Sequence, residues 1–215
     1  AAYEVDIGRV HTEISELVKA PFLTLSGFGK QDVTETGSSR FCPGQQIIMT
    51  KWAGAAGAAE LAYVNKRLLM KYFPAVYVDE AVEYLWEKTA GESLLSIEKE
   101  IKTAWDMGAR AFHNIAKNGV FGALWEMAEM SHAGLEVNFA AIPVRQESIE
   151  ICEQYGVNLY ETDSLGSVLI GTEHGEDLVC RLREEGIPAA VIGRVTDGND
   201  RTICRGEETR FLTPP

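Results

Sequence analysis

AFHNIAKNGVFGALWEMAEM, residues Ala111–Met130, is the stretch on which the fold turns. It opens as a short strand, Ala111–Ile115, passes through a Lys117-Asn118-Gly119 turn and continues as an amphipathic helix. Val120, Phe121, Leu124, Met127 and Ala128 recur at helical spacing and predict its buried stripe. At a strand–turn–helix junction the first backbone N–H groups of the helix lack intrahelical partners. With the positive end of the helix dipole, they suit a phosphate or carboxylate. His113 and Gly119 are therefore candidates for a phosphate- or nucleotide-binding site. The competing reading of His113, a hydrogen-bonded structural residue at a strand end, is the commoner one.

Outward from this junction the same alternation repeats. On the N-terminal side, Gln46–Trp52 reads as a strand. The following helix has Leu61, Val64, Leu68, Leu69 and Tyr72 on one face and is stopped by Pro74. Gly54 and Gly57 stand at its start, where missing side chains permit either close packing or backbone approach to a phosphate. Val78–Lys88 and Ser93–Met107 read as helices, with Glu98, Lys99, Glu100 and Lys102 on a solvated face. Earlier still come a helix over Val10–Val18, a strand over Phe22–Gly29 and a polar loop over Lys30–Arg40. Past the central helix, whose end carries His132 as a cation, strands are expected at Gly134–Phe139, Gly166–Glu173 and Ile187–Val195. Helices separate them at Glu147–Tyr155 and Glu176–Glu185, and a hairpin-type turn at Asp197–Asp200 leads to two short terminal strands. The implied class is α/β (α+β), a mixed sheet with packed helices.

The formal charge of −12, from 32 acidic and 20 basic residues with Lys and Arg scattered singly, opposes nucleic acid and anionic membrane surfaces as partners. Four cysteines without a C-x-x-C pair read as free thiols of a reducing compartment, with Cys152 and Cys180 on core-facing helical positions. No apolar run matches a membrane span and no signal-peptide pattern opens the chain, so the expected location is the cytoplasm. G-x-S-x-G, Walker and H-E-x-x-H patterns are missing, and His11, His113, His132 and His174 do not have metal-ligand spacing. No metal site is expected. Glu161 and Asp163 lie close together without a convincing acid–base pairing.

Several ordered segments add a resemblance: GQQIIMTKWAGAAGAAELA, HNIAKNGVFGALWEMAE, IPVRQESIEICEQYGVNLYE, GSVLIGTEHGEDLVCRLREEGIPAAVIGRVTDGNDR and GEETRFL. Together they resemble the C-terminal domain of the AIR synthase superfamily, nearest its hydrogenase-maturation-factor-like members, from Gly44 to the C-terminus. The resemblance implies a two-domain parent whose N-terminal domain carries the acidic, metal-bound ATP site. It also implies a C-terminal α/β domain that closes the cleft with glycine-rich loops. Residues 1–40 would then be a remnant or replacement of the ATP-binding domain, and 41–215 the C-terminal-like domain. Lys51, Trp52, Gly54 and Gly57 match one family loop, whereas Ala56 and Ala58 replace its acid and hydroxyl. His113 and Gly119 match the other, whereas Asn114, Ala116, Lys117 and Asn118 replace its polar groups and first glycine.

The glycines that shape the cradle survive and its chemical groups do not. The carbamoyl-accepting cysteine tail of the superfamily's hydrogenase maturation protein has no counterpart in the closing Leu-Thr-Pro-Pro. The resemblance thus implies Lys51, Gly54, Gly57, His113, Asn114 and Gly119 as phosphate or nucleotide candidates, with no catalytic residue assigned. The expected function is a binding or oligomerisation module, non-catalytic on its own, with weak phosphate or nucleotide affinity. The alternative is half of an ATP-dependent synthase, kinase or hydrogenase-maturation-type enzyme. ATP and Mg²⁺ enter only with a partner ATP-binding domain or subunit, and a homodimer is expected.

Overall fold

A computed structural model describes residues 40–86, 88–89 and 92–215, together with 10–14, 19, 23–24 and 26. The chain divides into two units, Ala1–Thr36 and Gly37–Pro215. Of the helix expected over 10–18, residues 10–14 are described and are not helical, and the rest lies outside the described residues, as do most of the elements expected at 22–29 and 30–40.

The second unit is built on a seven-stranded mixed sheet. Its strands are β1 (Gln46–Thr50), β4 (Ala111–Asn114), β5 (Gly134–Asn138), β6 (Val168–Thr172), β7 (Ala189–Thr196), β8 (Arg201–Arg205) and β9 (Glu208–Phe211). They lie in the order β4-β6-β1-β7-β5-β8-β9, while β2 (Lys88–Thr89) and β3 (Glu92–Ser93) form a separate small hairpin. All neighbours in the large sheet run antiparallel except β5 and β8, which are parallel. The mixed α/β architecture expected from the sequence is observed.

β1 shows why this sheet is covered on both faces. Ile47 and Met49 join one core with Val120, Leu124, Met127 and Ala128 of α4 (Gly119–Ser131). Ile48, between them, joins the opposite core with Ala104 of α3 (Glu98–Asp106) and Leu178, Val179 and Leu182 of α6 (Gly175–Glu184). Side chains alternate across a strand, so a continuous apolar run is what a doubly covered strand requires. The remaining helices, α1 (Ala55–Leu69), α2 (Ala75–Glu83) and α5 (Gln146–Gln154), share a third core of Ala62, Leu69, Val78, Ala81, Val82 and Ile151.

Five local expectations are corrected. α1 buries its alanines and Leu69 instead of the Val64–Leu68–Tyr72 stripe, which is exposed; small residues let the helix sit close to its neighbours. The helix expected from Val78 starts at Ala75, where Pro74 fixes the entry, and ends at Glu83, so Trp86 leaves the core. The helix expected from Ser93 begins only at Glu98, because the Leu94 and Ser96 carbonyls accept bonds from the Lys51 ammonium. Cys180 is exposed while Cys152 is buried, since it lies across the helix from Leu178 and Leu182. Asp197–Asp200 joins no hairpin: β5 lies between β7 and β8, and Gly134 at its start leaves room for the Asp200 carbonyl.

Candidate ligand-binding site

Three of the expected site glycines converge on one segment, Leu159–Ser164. Gly54, φ +64, caps α1, and its N–H donates to Ser164 Oγ at 2.7 Å. The Gly57 N–H donates to the Asp163 carbonyl at 2.9 Å. Gly119, φ +63, opens α4, and a Cβ placed there would lie 2.4 Å from the Tyr160 carbonyl oxygen and 2.7 Å from Glu161 Cα. A Cβ on Gly54 would lie 2.5 Å from the Leu159 carbonyl oxygen, and one on Gly57 would strike Thr162. The missing side chains do permit a close backbone approach, but the backbone that approaches is the chain's own. Two of the helix-start donors that a phosphate would need at α1, the Gly54 and Gly57 N–H groups, are already satisfied by Ser164 and Asp163.

His113, 15% exposed at its side chain, has Nε2 3.3 Å from Glu126 Oε2. Asn118 Nδ2 donates to the other oxygen of the same carboxylate at 3.3 Å. Glu126 thereby links the strand end to the helix start, and its charge opposes an incoming anion at His113. Asn114, exposed, ends β4 opposite Val168. His132 takes a left-handed conformation, φ 51, as the C-terminal cap of α4.

Lys51 lies elsewhere and is 4% exposed. Its backbone, φ 54, turns the chain out of β1, and its N–H donates to the Pro188 carbonyl. The ammonium donates to the Leu94 and Ser96 carbonyls at 2.8 and 2.5 Å and faces Glu100 Oε1 at 2.6 Å. The contact with Glu100 is an ion pair without the alignment of a directed hydrogen bond. Glu100, expected on a solvated face, is 2% exposed near the start of α3, where the helix dipole favours a carboxylate. With its donors committed in this way, Lys51 ties β1 to α3 and stands apart from the three glycines.

An open concavity lies beside the first turn of α4. A cavity of about 280 Å³ is walled by Phe121, Phe139, Ile203, Phe211 and Leu212, with Arg205, Arg210, Glu161 and Glu208 at its polar side. Tyr160 stacks on Phe121 with centroids 5.2 Å apart and packs on Phe139 at 4.6 Å. Burial pushes the Tyr160 hydroxyl up from its ordinary pKa, with the Arg205 charge acting against that shift. Arg210 pairs with Glu208 at 3.5 Å, both exposed. The Arg205 guanidinium lies 5.5 Å over the Phe139 ring and has no carboxylate partner among the described residues. Sequence reading missed this cavity, because β8 and β9 looked like plain terminal strands and its aromatic walls come from distant segments. An arginine next to apolar strand residues is too weak a signal alone.

ATP with Mg²⁺ does not fit the described residues by themselves. The Gly54 and Gly57 donors at α1 are taken up internally, the Glu126 carboxylate stands beside His113, and no three His, Cys, Asp or Glu side chains gather as a metal site among those residues. No described helix is long and apolar enough to cross a membrane.

Comparison with known proteins agrees with this architecture. Residues 43–204 match the family described as AIR synthase related protein, C-terminal domain. Carbamoyl dehydratase HypE of Rhodobacter capsulatus is 30% identical over 91 residues, 40% of this chain and 27% of that protein. Phosphoribosylformylglycinamidine synthase subunit PurL of Methanopyrus kandleri is 24% identical over 126 residues, 59% of this chain and 17% of the relative. The crystal structure of E. coli HypE, a hydrogenase maturation protein, superposes with TM-score 0.63 at 20% identity, covering 83% of this chain and 52% of that one. The chain thus spans about half of that solved chain and a smaller share of the curated relatives it matches.

Proposed function

This chain belongs to the AIR synthase related protein family through its C-terminal domain, and on that premise we propose that it is a binding module, non-catalytic alone. The observation that carries this reading is the seating of Leu159–Ser164 against the glycine-bearing starts of α1 and α4. The cradle keeps its shape and is filled from within, so the ligand site moves to the cavity beside α4. Its chemistry suits an anionic group on Arg205 and a flat apolar body against Phe121 and Phe139. Nucleoside monophosphates have both features. The module further assembles as a homodimer.

A second reading is half of an ATP-dependent enzyme completed by an ATP-binding domain. It is favoured by one observation, the coverage of about half of the solved HypE chain. The chain alone, given ATP and Mg²⁺, is expected to release no phosphate; turnover by the chain alone overturns the first reading. Turnover only after addition of a separately produced ATP-binding domain supports the second. Calorimetric titration with AMP and with inorganic phosphate tests the cavity: AMP is expected to bind more tightly. Equal affinity for both would overturn the aromatic wall's part in recognition.

A further inference from the structure

We infer that the outer face of the α1–α2 hairpin is the homodimer surface, and that a second copy of this chain covers it. This assignment rests on the homodimer stated above.

Large exposed apolar side chains are concentrated here. Tyr63 is 59% exposed, Val64 77%, Tyr72 62%, Val76 68% and Trp86 61%, with Leu68 also exposed between them. They are not scattered single residues: Tyr63 and Trp86 meet edge to face with centroids 5.5 Å apart, so the end of α2 continues the surface begun on α1. A cluster of this kind on a soluble domain marks a contact surface. α1 is built to present it. Asn65 leaves helical geometry at φ −108, ψ 17, and its side chain donates to the Leu61 carbonyl at 3.0 Å. The kink falls between exposed Tyr63 and Val64 on one side and exposed Arg67 and Leu68 on the other, beyond the buried alanine-rich first turns.

The charges on this hairpin identify the occupant. Lys66 and Asp79 neutralise one another at 2.5 Å between the two helices. That leaves Glu60 early on α1, Arg67 and Lys71 on its second half and C-terminal turn, and Glu80 and Glu83 on the α2 side, all exposed and without an ion pair among the described residues. Val76, Glu80 and Glu83 share one outward ridge of α2; Val64, Arg67, Leu68 and Lys71 share one of α1 and its C-terminal turn. A surface with apolar side chains along both ridges, basic on the second half of α1 and acidic on α2, is complementary to itself under a two-fold rotation. The rotation lays α1 of one copy on α2 of the other, bringing Arg67 and Lys71 to Glu80 and Glu83 of the second copy. A single foreign partner needs no such pairing of signs on one patch.

The experiment is sedimentation velocity of the whole chain from about 1 to about 200 µM, a span that brackets micromolar association. The wild type is expected to pass from the 23.7 kDa chain mass to twice that mass as concentration rises. Val64→Asp and Leu68→Glu, both at exposed positions, are expected to weaken the dimer at least tenfold with an unchanged melting temperature. Should either lower the melting temperature, Tyr72→Glu outside the helix carries the same test. Arg67→Glu and Glu83→Arg are each expected to weaken the dimer several-fold, and the two together in one chain to recover most of it. A wild type that stays at the single-chain mass throughout overturns both the homodimer and this surface. A dimer that survives Val64→Asp and Leu68→Glu, or charge variants that fail to rescue one another, overturns the surface alone.

Discussion

Gly119→Ala and Gly206→Ala form a matched pair that isolates the plug against α4. Both residues are left-handed, with φ +63 and +61. An alanine in that conformation costs about 1–2 kcal/mol at either position. At Gly206, in the β8–β9 turn, the new methyl has nothing within 4 Å and the backbone term is all that is lost. At Gly119 the methyl would lie 2.4 Å from the Tyr160 carbonyl oxygen and 2.7 Å from Glu161 Cα. Both contacts are backbone, so relief requires displacing Leu159–Glu161 and with it the Phe121–Tyr160–Phe139 stack. Overpacking of this kind costs about 1–3 kcal/mol and a lost aromatic pair about 0.5–1.5 kcal/mol. Gly119→Ala is therefore expected to be less stable than Gly206→Ala by about 2–4 kcal/mol in urea denaturation at equal m. In a thermal melt the same gap is about 5–15 °C for a domain of this size. Gly54→Ala, whose methyl would meet the Leu159 carbonyl oxygen at 2.5 Å, belongs with Gly119→Ala. If Gly119→Ala and Gly206→Ala agree within about 0.5 kcal/mol, the typical spread of neutral surface changes, the plug is refuted.

Three further outcomes follow from the same geometry. Lys51→Met alone strands Glu100 as a buried charge and should cost about 3–5 kcal/mol, whereas Lys51→Met with Glu100→Leu should recover most of that loss in the same denaturation assay. Stability should hold through neutrality and fall above about pH 9: burial raises the pKa of Cys152, Tyr77, Tyr155 and Tyr160, so the unfolded chain gives up these protons first. Urea midpoints measured from pH 7 to 10.5, spanning the ordinary thiol and phenol values, check that sign; rising midpoints would contradict it. Arg205→Gln should weaken AMP binding about tenfold, the loss of one charge-assisted contact, without moving the melting temperature.

The sheet was legible because its signal is local. β1, β6 and β7 are apolar runs bounded by Gly, Pro and polar residues, and the structure places them at the sheet centre. The α4 stripe was legible for the same reason: Val120, Leu124, Met127 and Ala128 repeat at helical spacing and are all buried. α1 misled because periodicity records which residues share a face but not which face meets the core. Its alanines could approach neighbouring helices more closely than Val64 and Leu68 could, and close approach decided the orientation. Glu100 looked like one more charge on a polar helix, since nothing near it in sequence reveals that Lys51 arrives from β1.

The glycines at 54, 57 and 119 are where local reading reaches its limit, and the reason is physical. A glycine at a helix start states only that something without room for a Cβ comes close. A phosphate oxygen and a peptide carbonyl make nearly the same demand, since each needs short contact with backbone N–H groups and tolerates the positive end of the helix dipole. The residue type therefore cannot distinguish a ligand cradle from a docking point for the chain itself. The distinction is carried by the segment that fills the space, and Leu159–Ser164 lies far from all three glycines in sequence. It supplies the Ser164 hydroxyl and the Asp163 carbonyl where an anion would have supplied oxygens. Ala56, Ala58 and Asn114, where the resembled loops carry an acid or a hydroxyl, leave that internal contact intact, because on the glycine side it is made by backbone N–H groups. A space closed by the chain's own oxygens thus needs its glycines whether or not a ligand ever enters it.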